Sequence, residues 1–306
     1  MIEPTGFVWM NGEHVDWSRA TVHVSAHGVH YGYGTFEGIR AFETADGRTA
    51  VFRLAEHVRR LLDSAKILMI PVPYSAEQIS AACLELLRVN RLKDAYVRPL
   101  LFTGPGGLGA GSMDNPTQAV VLTFKWDTYL GEEGVRRGIR CKVSTFARHH
   151  VNISMVKAKV MGQYVNAVLA KREAALQGFD EAIMLDVDGY VTEASGQNLF
   201  IVKDGVVKTA PTSSSILPGI TRATILRLLE SAAIPAVEER FTRDELYLAD
   251  EVFLTGTASD VCPVREIDHR TIGTGEAGPV TRLLQETYGA VVRGRDPKWA
   301  SWLTYA

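Results

Sequence analysis

The spacing of hydrophobic and polar positions predicts two amphipathic helices in the first half of the chain. In residues 54–69, and again in residues 75–92, apolar side chains recur every three or four positions, which places them on one face of a helix. Residues 96–103 and 119–126 are apolar runs that predict buried strands. An Asn11-Gly12 pair follows a β-rich run and predicts a hairpin, because both residues tolerate positive φ. The first half therefore has the pattern of an α+β unit.

The second half alternates predicted strands and helices after a polar break. The break lies at residues 131–136 and suits a linker between domains. We therefore expect an N-terminal domain at 1–130 and a C-terminal domain at 137–306. The expected strands are 140–144, 181–186, 198–202 and 251–256, and the expected helices are 162–177, 221–232 and 280–287.

Composition and charge exclude several classes of protein. The 306 residues include 33 Lys and Arg and 35 Asp and Glu, so the net charge of −2 offers no field for nucleic acid or an anionic membrane. The three cysteines lack the spacing of a zinc site, and an odd number of them fits a reducing compartment. No run of about 18 apolar residues occurs that would span a membrane. We expect a cytoplasmic protein with no metal and no partner among nucleic acids or membranes.

A glycine-rich stretch at 104–109 matches the dinucleotide fingerprint G-x-G-x-x-G. The fingerprint needs a helix directly after it to receive the pyrophosphate, whereas residues 110–116 have no helical periodicity and include Asn115-Pro116. A flexible loop is the favoured interpretation of this stretch.

Three other features carry chemistry, although each has an ordinary structural alternative. Lys157 and Lys159 lie among apolar neighbours, where an amine loses its charge readily and can form a Schiff base; a lysine pair is more often solvated surface. The stretch 217–222 precedes an apolar helix and could bind an anion at the helix N-terminus, or be a simple cap. Glu193 follows an Asp-Gly turn and is either a cap or a partner for a cationic ring. Together, an amine, an anion cradle and a carboxylate are what pyridoxal phosphate requires of a protein.

Several stretches in one order resemble the fold-type IV pyridoxal-phosphate enzymes, and closely the branched-chain aminotransferases. The resemblance covers nearly the whole chain. It implies the class IV aminotransferase fold, which is like that of D-amino acid aminotransferase: two domains of α+β and α/β character, the smaller one N-terminal and the larger C-terminal one with a β-barrel-like sheet. The stretches that carry it are 30–40, 56–61, 158–159, 193–200, 217–222 and 247–253.

The resemblance also assigns roles toward the cofactor, pyridoxal 5'-phosphate. It selects Lys159 over Lys157 as the catalytic Schiff-base lysine, a choice that the residues alone leave open. Tyr164 is implied as the partner of the cofactor's phenolate oxygen, and Glu193 as the carboxylate on its ring nitrogen. Gly196 would line the ring. The implied phosphate cradle consists of Arg60, Ile220, Thr221 and Thr257.

For the substrate, the resemblance implies an α-carboxylate near Tyr96 and the backbone amides of Thr257 and Ala258, and a distal carboxylate of glutamate near Arg98. The implied side-chain pocket contains aromatic residues that without the resemblance would be taken for core. It consists of Phe36, Trp126, Tyr129 and Tyr164, with Tyr31, Leu108 and Ala110 contributed by a neighbouring subunit of a homo-oligomer.

The implied activity moves the amino group of L-leucine, L-isoleucine or L-valine to 2-oxoglutarate in two half-reactions, a ping-pong cycle. Alternatives on the same scaffold are a transaminase for D-amino acids or (R)-amines, and an aminodeoxychorismate lyase. Alternatives of another class are a binding protein for a phosphorylated metabolite and a dehydrogenase that uses the 104–109 loop. Either of these leaves Lys159 and Glu193 without a task.

Overall fold

A computed structural model describes residues 2–126 and 131–306. The described residues form two compact units. Unit 1 takes its residues from 1–126, 158–163 and 290–306, and unit 2 takes its residues from 127–157 and 164–289. The predicted domain bounds, 1–130 and 137–306, stay a prediction.

Unit 1 contains one large sheet with helices packed against it. Two short 3₁₀ helices, Trp17–Arg19 and Pro297–Trp302, accompany them. The strands are β1 (Phe7–Met10), β2 (Glu13–Asp16), β3 (Gly34–Phe36), β4 (Ile39–Glu43), β5 (Thr49–Phe52), β6 (Ala95–Thr103), β7 (Thr117–Lys125) and β17 (Leu303–Tyr305), and the helices are α1 (His27–Tyr31), α2 (Leu54–Ile67) and α3 (Ala76–Val89).

The sheet of unit 1 is antiparallel and runs in the order β17-β5-β4-β6-β7-β1-β2, with β3 paired to β6. Its centre is the long pairing of β6 with β7, which runs from Ala95 opposite Lys125 to Thr103 opposite Thr117. The apolar faces of α2 and α3 meet this sheet in a core that includes Leu61 and Leu86. Both predicted helices, the two long strands and the α+β character of the first half are confirmed.

The predicted hairpin at Asn11-Gly12 is also confirmed. Both residues have positive φ, 52° and 99°, and β1 and β2 pair antiparallel on either side of them. This is the two-residue turn whose twist matches that of paired strands.

Unit 2 contains a nine-stranded sheet and its flanking helices. The strands are β8 (Ile139–Val143), β9 (Glu181–Leu185), β10 (Val191–Ala194), β11 (Asn198–Lys203), β12 (Val206–Thr209), β13 (Ala236–Glu238), β14 (Glu251–Gly256), β15 (Asp260–Ile267) and β16 (Arg270–Thr271). The helices are α4 (Gly131–Arg137), α5 (Tyr164–Leu176), α6 (Ile220–Ser231), α7 (Arg243–Leu248) and α8 (Pro279–Val292), of which residues 279–289 belong to this unit.

Six of these strands close into a barrel. The order β10-β9-β8-β15-β14-β11 is continuous, and β10 pairs with β11 to complete the circle. Apolar side chains from these strands, such as Ile183, Leu199 and Leu254, fill a common core. The predicted barrel-like sheet is confirmed. It fixes the positions of the strand ends that carry several of the predicted site residues.

The segment that the sequence analysis interprets as a polar break, 131–136, lies within a short helix, α4. Glu133 and Arg137 lie one turn apart, with Arg137 Nη1 2.8 Å from Glu133 Oε1, a spacing that stabilises a helix without any apolar face. No helix of the described residues is both long and apolar enough to cross a membrane.

Candidate active site

Lys159 lies in an extended segment, 158–163, that runs beside β3 in unit 1. Val160 forms an antiparallel bridge with Thr35, and the Phe36 N–H donates to the Lys159 carbonyl at 3.1 Å. The Lys159 N–H in turn donates to Ser64 Oγ at 3.0 Å. The backbone of the predicted catalytic lysine is therefore fixed from both sides, by a strand and by helix α2.

The Lys159 amine lies over an aromatic ring. Its Nζ is 5.0 Å from the centroid of Phe36, a side chain that the sequence analysis places in the substrate pocket. Lys159 itself is only partly exposed. The structure thus brings the predicted nucleophile and one wall of the predicted pocket together.

Three more of the predicted substrate-binding residues cluster with Phe36: Tyr96 and Arg98 on β6, and Trp126 directly after β7. The Tyr96 and Trp126 rings are 4.6 Å apart between centroids. The Arg98 guanidinium carbon lies 4.8 Å from the Phe36 centroid, and Arg98 Nη2 donates to the Tyr96 hydroxyl at 3.3 Å. The cluster combines aromatic surface with one cation, which suits a site for both an apolar chain and a carboxylate.

The cluster requires a glycine at position 38. A Cβ placed on Gly38 would collide with the Tyr96 hydroxyl. The position of the Tyr96 hydroxyl thus explains in physical terms why the Phe-Glu-Gly sequence at 36–38 ends in glycine.

Arg60, predicted to contact a phosphate, forms a pair with a fully buried carboxylate. Its Nε and Nη2 lie 2.5 and 3.0 Å from Glu37 Oε1 and Oε2, and His57 Nδ1 lies 2.7 Å from Oε2. Burial alone would raise the pKa of Glu37, but Arg60 and His57 outweigh it and hold that pKa well below its usual range. Burial lowers the pKa of His57 despite the Glu37 carboxylate. The pair fixes the orientation of the Arg60 guanidinium.

Tyr31, predicted to act in a neighbouring subunit, is half exposed at the end of α1. Its hydroxyl donates to the Leu108 carbonyl at 2.7 Å, which joins it to the glycine-rich loop. The loop, with Ala110 in it, is confirmed as a loop without a following helix, and the Asn115 amide binds the Gly107 carbonyl within it at 3.0 Å.

In unit 2, Glu193 lies on β10 and is buried. Its Oε2 accepts from Asn198 Nδ2 at 3.0 Å, and both its oxygens lie 3.2–3.3 Å from the Leu217 N–H. Its Oε1 lies 2.7 Å from Arg148 Nη2. All three of these neighbours are donors, an environment that favours the ionised carboxylate that a cationic ring requires.

Lys157, the alternative to Lys159 in the sequence, has a structural role. Its Nζ donates to the carbonyls of Ser214 at 2.8 Å and Ile216 at 3.1 Å. Burial lowers the pKa of Lys157. These contacts fix residues 214–216 in place. The following residue, Leu217, donates its N–H to Glu193.

The predicted anion cradle includes the first turn of α6. The helix begins at Ile220 and Thr221 after an N-cap at Gly219, and among the described residues no side chain caps it. Its first N–H groups have no partner within the helix, which leaves them suited to an anion. A Cβ on Gly219 would collide with Asn198 Oδ1, so this helix start and the Glu193 cluster share a residue.

The turn between β14 and β15 carries Thr257 and Ala258, which are partly exposed. Beside them, Thr255 Oγ1 and Ser259 Oγ are buried, and neither has a hydrogen-bond partner among the described residues. Buried hydroxyls normally find a partner. Two of them at one strand end indicate a place where a polar ligand belongs.

The remaining predicted residues are placed as follows. Tyr164 is the first residue of α5. Gly196 lies in the turn between β10 and β11, and a Cβ added to it would meet no atom of the described residues within 4 Å, its two chain neighbours aside. Tyr129 lies outside the described residues. Among the described residues, no group of three or more His, Cys, Asp or Glu side chains could hold a metal ion.

Sequence reasoning assigned no role to Arg148, Asn198 and Glu37. Arg148 stands in a stretch without a motif. Its pairing with Glu193 depends on the register of β9, whose Leu185 carbonyl accepts from the Arg148 N–H, against the neighbouring strand β10. Glu37 and Asn198 lie inside stretches that carry the family resemblance. A carboxylate next to an obligatory glycine is a signal that could have found Glu37.

Sequence and structure comparisons show which known proteins this chain is similar to. The family model described as "Amino-transferase class IV" matches residues 34–267. A branched-chain-amino-acid aminotransferase of Pseudomonas aeruginosa is 48% identical over 304 residues, covering 99% of this chain and 98% of the relative. The solved T.th. branched-chain amino acid aminotransferase with pyridoxamine 5'-phosphate has a TM-score of 0.96 at 46% identity, covering 100% of this chain and 99% of the other.

The corresponding Escherichia coli crystal structure has a TM-score of 0.95 at 42% identity, covering 98% of both chains. These similarities extend over the elements that carry Lys159, Arg60 and Glu193. The predicted fold type is thereby confirmed, and the chain belongs to amino-transferase class IV, among the branched-chain-amino-acid aminotransferases.

Proposed function

We propose that this protein is a pyridoxal-phosphate-dependent transaminase that moves the amino group of L-leucine, L-isoleucine or L-valine to 2-oxoglutarate. The observation that carries the proposal is the similarity to branched-chain aminotransferases over 98–100% of the chain, at 42–48% identity. Similarity of that extent supports a shared reaction as well as a shared fold.

The residues present fit pyridoxal phosphate. Unit 2 offers the buried Glu193 carboxylate beside the Arg148 guanidinium and the first turn of α6. It also offers the two buried hydroxyls of Thr255 and Ser259, which lack partners among the described residues. Unit 1 offers the Lys159 amine and the Arg60 guanidinium. These are the amine, the anion cradle and the ring-nitrogen partner that the cofactor needs.

When bound, pyridoxal phosphate supplies an electron sink for the charge that develops on the substrate's α-carbon. Glu193 would hold a proton at the ring nitrogen, and Tyr164 would contact the phenolate oxygen. Arg60 and the N–H groups of Ile220, Thr221 and Thr257 would bind the phosphate, with Gly196 leaving room beside the ring. Lys159 Nζ would carry the covalent link and, once released, take the proton from the substrate's α-carbon.

The substrate residues divide into an apolar and a polar group. Phe36, Trp126 and, by the family resemblance, Tyr129 and Tyr164 would enclose a branched side chain. The Tyr96 hydroxyl and the N–H groups of Thr257 and Ala258 would bind the α-carboxylate. Arg98, which contacts Phe36 and Tyr96, would pair with the distal carboxylate of glutamate, so that one site accepts both substrates in turn.

The assembly and compartment are part of the proposal. A homo-oligomer, at least a dimer, would allow Tyr31 and the loop residues Leu108 and Ala110 to complete a neighbouring site. Cys83, Cys141 and Cys262 are free and buried, which supports the cytoplasm as the compartment.

The test compares Lys159→Ala with the wild type. We expect the purified wild type to be yellow, to be bleached by borohydride, and to prefer L-leucine with 2-oxoglutarate over D-alanine and (R)-1-phenylethylamine. Lys159→Ala should lose the yellow colour that borohydride bleaches, and turnover should fall by a factor of about 10⁴ or more.

Lys203→Ala is the matched control, because Lys203 is a half-exposed lysine whose partner, Asp250, is on the surface. It should keep colour and rate. Turnover by Lys159→Ala at the wild-type level would contradict the assigned lysine, and a preference for (R)-amines would contradict the assigned substrate class.

A further inference from the structure

Arg148 contacts the carboxylate that is assigned to the ring nitrogen. It follows β8, and its N–H donates to the Leu185 carbonyl at 2.7 Å, which fixes its backbone to the barrel. Its side chain is 12% exposed, and Nη2 lies 2.7 Å from Glu193 Oε1. Its Nε is buried and has no hydrogen-bond partner among the described residues. Burying an arginine is unfavourable unless its charge is paired, and Glu193 supplies that pair.

The other groups that face Glu193 do not supply the same effect. Asn198 and the Leu217 N–H are neutral donors. Lys157 lies near enough to Glu193 for the carboxylate to favour the charged amine, but its Nζ donates to the Ser214 and Ile216 carbonyls. Arg148, in contrast, is a cation in direct contact with the carboxylate.

We propose that Arg148 is a positioning residue of this site: it keeps Glu193 ionised and fixed, so that the ring nitrogen of pyridoxal phosphate, and not Glu193, carries the proton they share. The inference rests on the proposed function.

The physical reason is the difference in distance. A positive charge disfavours protonation of any group near it, and the effect weakens with separation. Because Arg148 touches the carboxylate itself, it disfavours a proton on Glu193 more than a proton on a ring nitrogen beyond it. The proton is therefore displaced toward the ring, where it strengthens the electron sink.

The experiment uses the holoenzyme loaded with cofactor that is ¹⁵N-labelled at the ring nitrogen. The ¹⁵N chemical shift of that atom reports its protonation directly, and a purely structural role for Arg148 would not move it. We expect a protonated ring in the wild type, and a shift toward the neutral value in both Arg148→Met and Arg148→Gln. In these variants kcat should fall by about tenfold or more, with a much smaller change in KM.

Arg148→Lys retains the charge but contacts the carboxylate at one point. It should keep the ring protonated while binding the cofactor more weakly. The control is Arg227→Met, because Arg227 is an exposed arginine of unit 2 paired with Glu230; it should resemble the wild type in every readout. Melting of the cofactor-free proteins shows which variants fold.

The inference is overturned if either neutral variant keeps the wild-type ¹⁵N shift. It is also overturned if the cofactor ring in Arg148→Lys is not protonated, because this variant keeps the positive charge. This second test can be carried out even if neither neutral variant folds. A wild type that binds no pyridoxal phosphate would instead refute the proposed function itself, so the two failures are distinguishable.

Discussion

Glu37 is a carboxylate with no exposed surface, held by Arg60 and His57. Removing one partner of a buried ion pair leaves the other charge uncompensated, which costs about 3–5 kcal/mol. We therefore expect Glu37→Gln to lower the free energy of unfolding by about that amount at pH 7, measured by urea titration of the cofactor-free protein. Cofactor affinity should fall as well, because Arg60 loses the contact that fixes its guanidinium.

The pH dependence of unfolding separates the charge of Glu37 from its size. Since the folded-state pKa of Glu37 lies below its ordinary value of 4.5, the unfolded chain takes up the proton first as pH falls below that value. The stabilisation is therefore present above about pH 4.5 and is lost on acidification. Glu37→Gln should lack this acid-sensitive part of the free energy of unfolding. The control is Glu43→Gln, which breaks an exposed pair with Lys93. It should lower the free energy of unfolding by about 0–1 kcal/mol and leave the acid-sensitive part unchanged. An identical acid profile for Glu37→Gln and wild type would refute the assignment.

At this scale the sequence identifies residue types but not their partners. Lys157 and Lys159 are equivalent by local composition, and the family resemblance was needed to choose between them. The structure shows the physical difference: Lys157 Nζ donates to two carbonyls, while Lys159 Nζ lies over the Phe36 ring. Such contacts join positions tens of residues apart, so no local pattern contains them.

Among the elements, helix α6 begins at a glycine that is required for steric reasons. Gly219 has ordinary dihedral angles for any residue, φ −68° and ψ 134°, but a Cβ there would collide with Asn198 Oδ1. We expect Gly219→Ala to destabilise the protein by about 1–3 kcal/mol and to weaken cofactor binding, because Asn198 must move and it donates to Glu193. Urea unfolding and a fluorescence titration with pyridoxal phosphate measure the two effects.

The same substitution in helix α8 provides a control of opposite sign. Apart from the backbone of the helix itself and the two chain neighbours, no described residue has an atom within 4 Å of a Cβ position at Gly289. Gly289→Ala should therefore stabilise by up to about 1 kcal/mol through helix propensity. If both variants changed stability in the same direction, the steric account of Gly219 would be wrong.

Elements were predictable where their signals are local. Helix α3 begins after Ser75, whose side chain and that of Gln78 form a reciprocal capping box, and the β1–β2 hairpin follows from Asn11-Gly12. Helix α4 is interpreted from the sequence as a polar break because its seven residues show no apolar periodicity. The strands β13 and β17 have three residues each, too few to show the alternation of apolar and polar positions. The pairing of β10 with β11, which closes the barrel, depends on the register between two strands, and a local sequence pattern does not contain that register.

For the molecule as a whole, the sequence supports two domains and the structure has two compact units, but the unit that contains Lys159 takes its residues from three separate stretches. Hydrophobic patterning describes each stretch and carries no information on which unit it joins. The number of chains in the assembly is likewise outside the reach of patterning, and it bears on whether each site is complete.

If Tyr31 completes the site of a neighbouring chain, two inactive variants should restore activity when mixed. In a dimer of one Lys159→Ala chain and one Tyr31→Ala chain, one site has Lys159 from the second chain and Tyr31 from the first, and the other site lacks both. Random pairing makes about half of the dimers mixed, with one intact site in each. Co-expressed chains should therefore reach about a quarter of the wild-type rate per site.

Pairing Lys159→Ala with Arg98→Ala is the control. Arg98 and Lys159 both contact Phe36 of the same chain, so no mixed dimer of these two variants would contain an intact site. A rate no higher than the mean of the two separate variants, in a sample shown by sedimentation to contain mixed dimers, would place Tyr31 in its own chain's site.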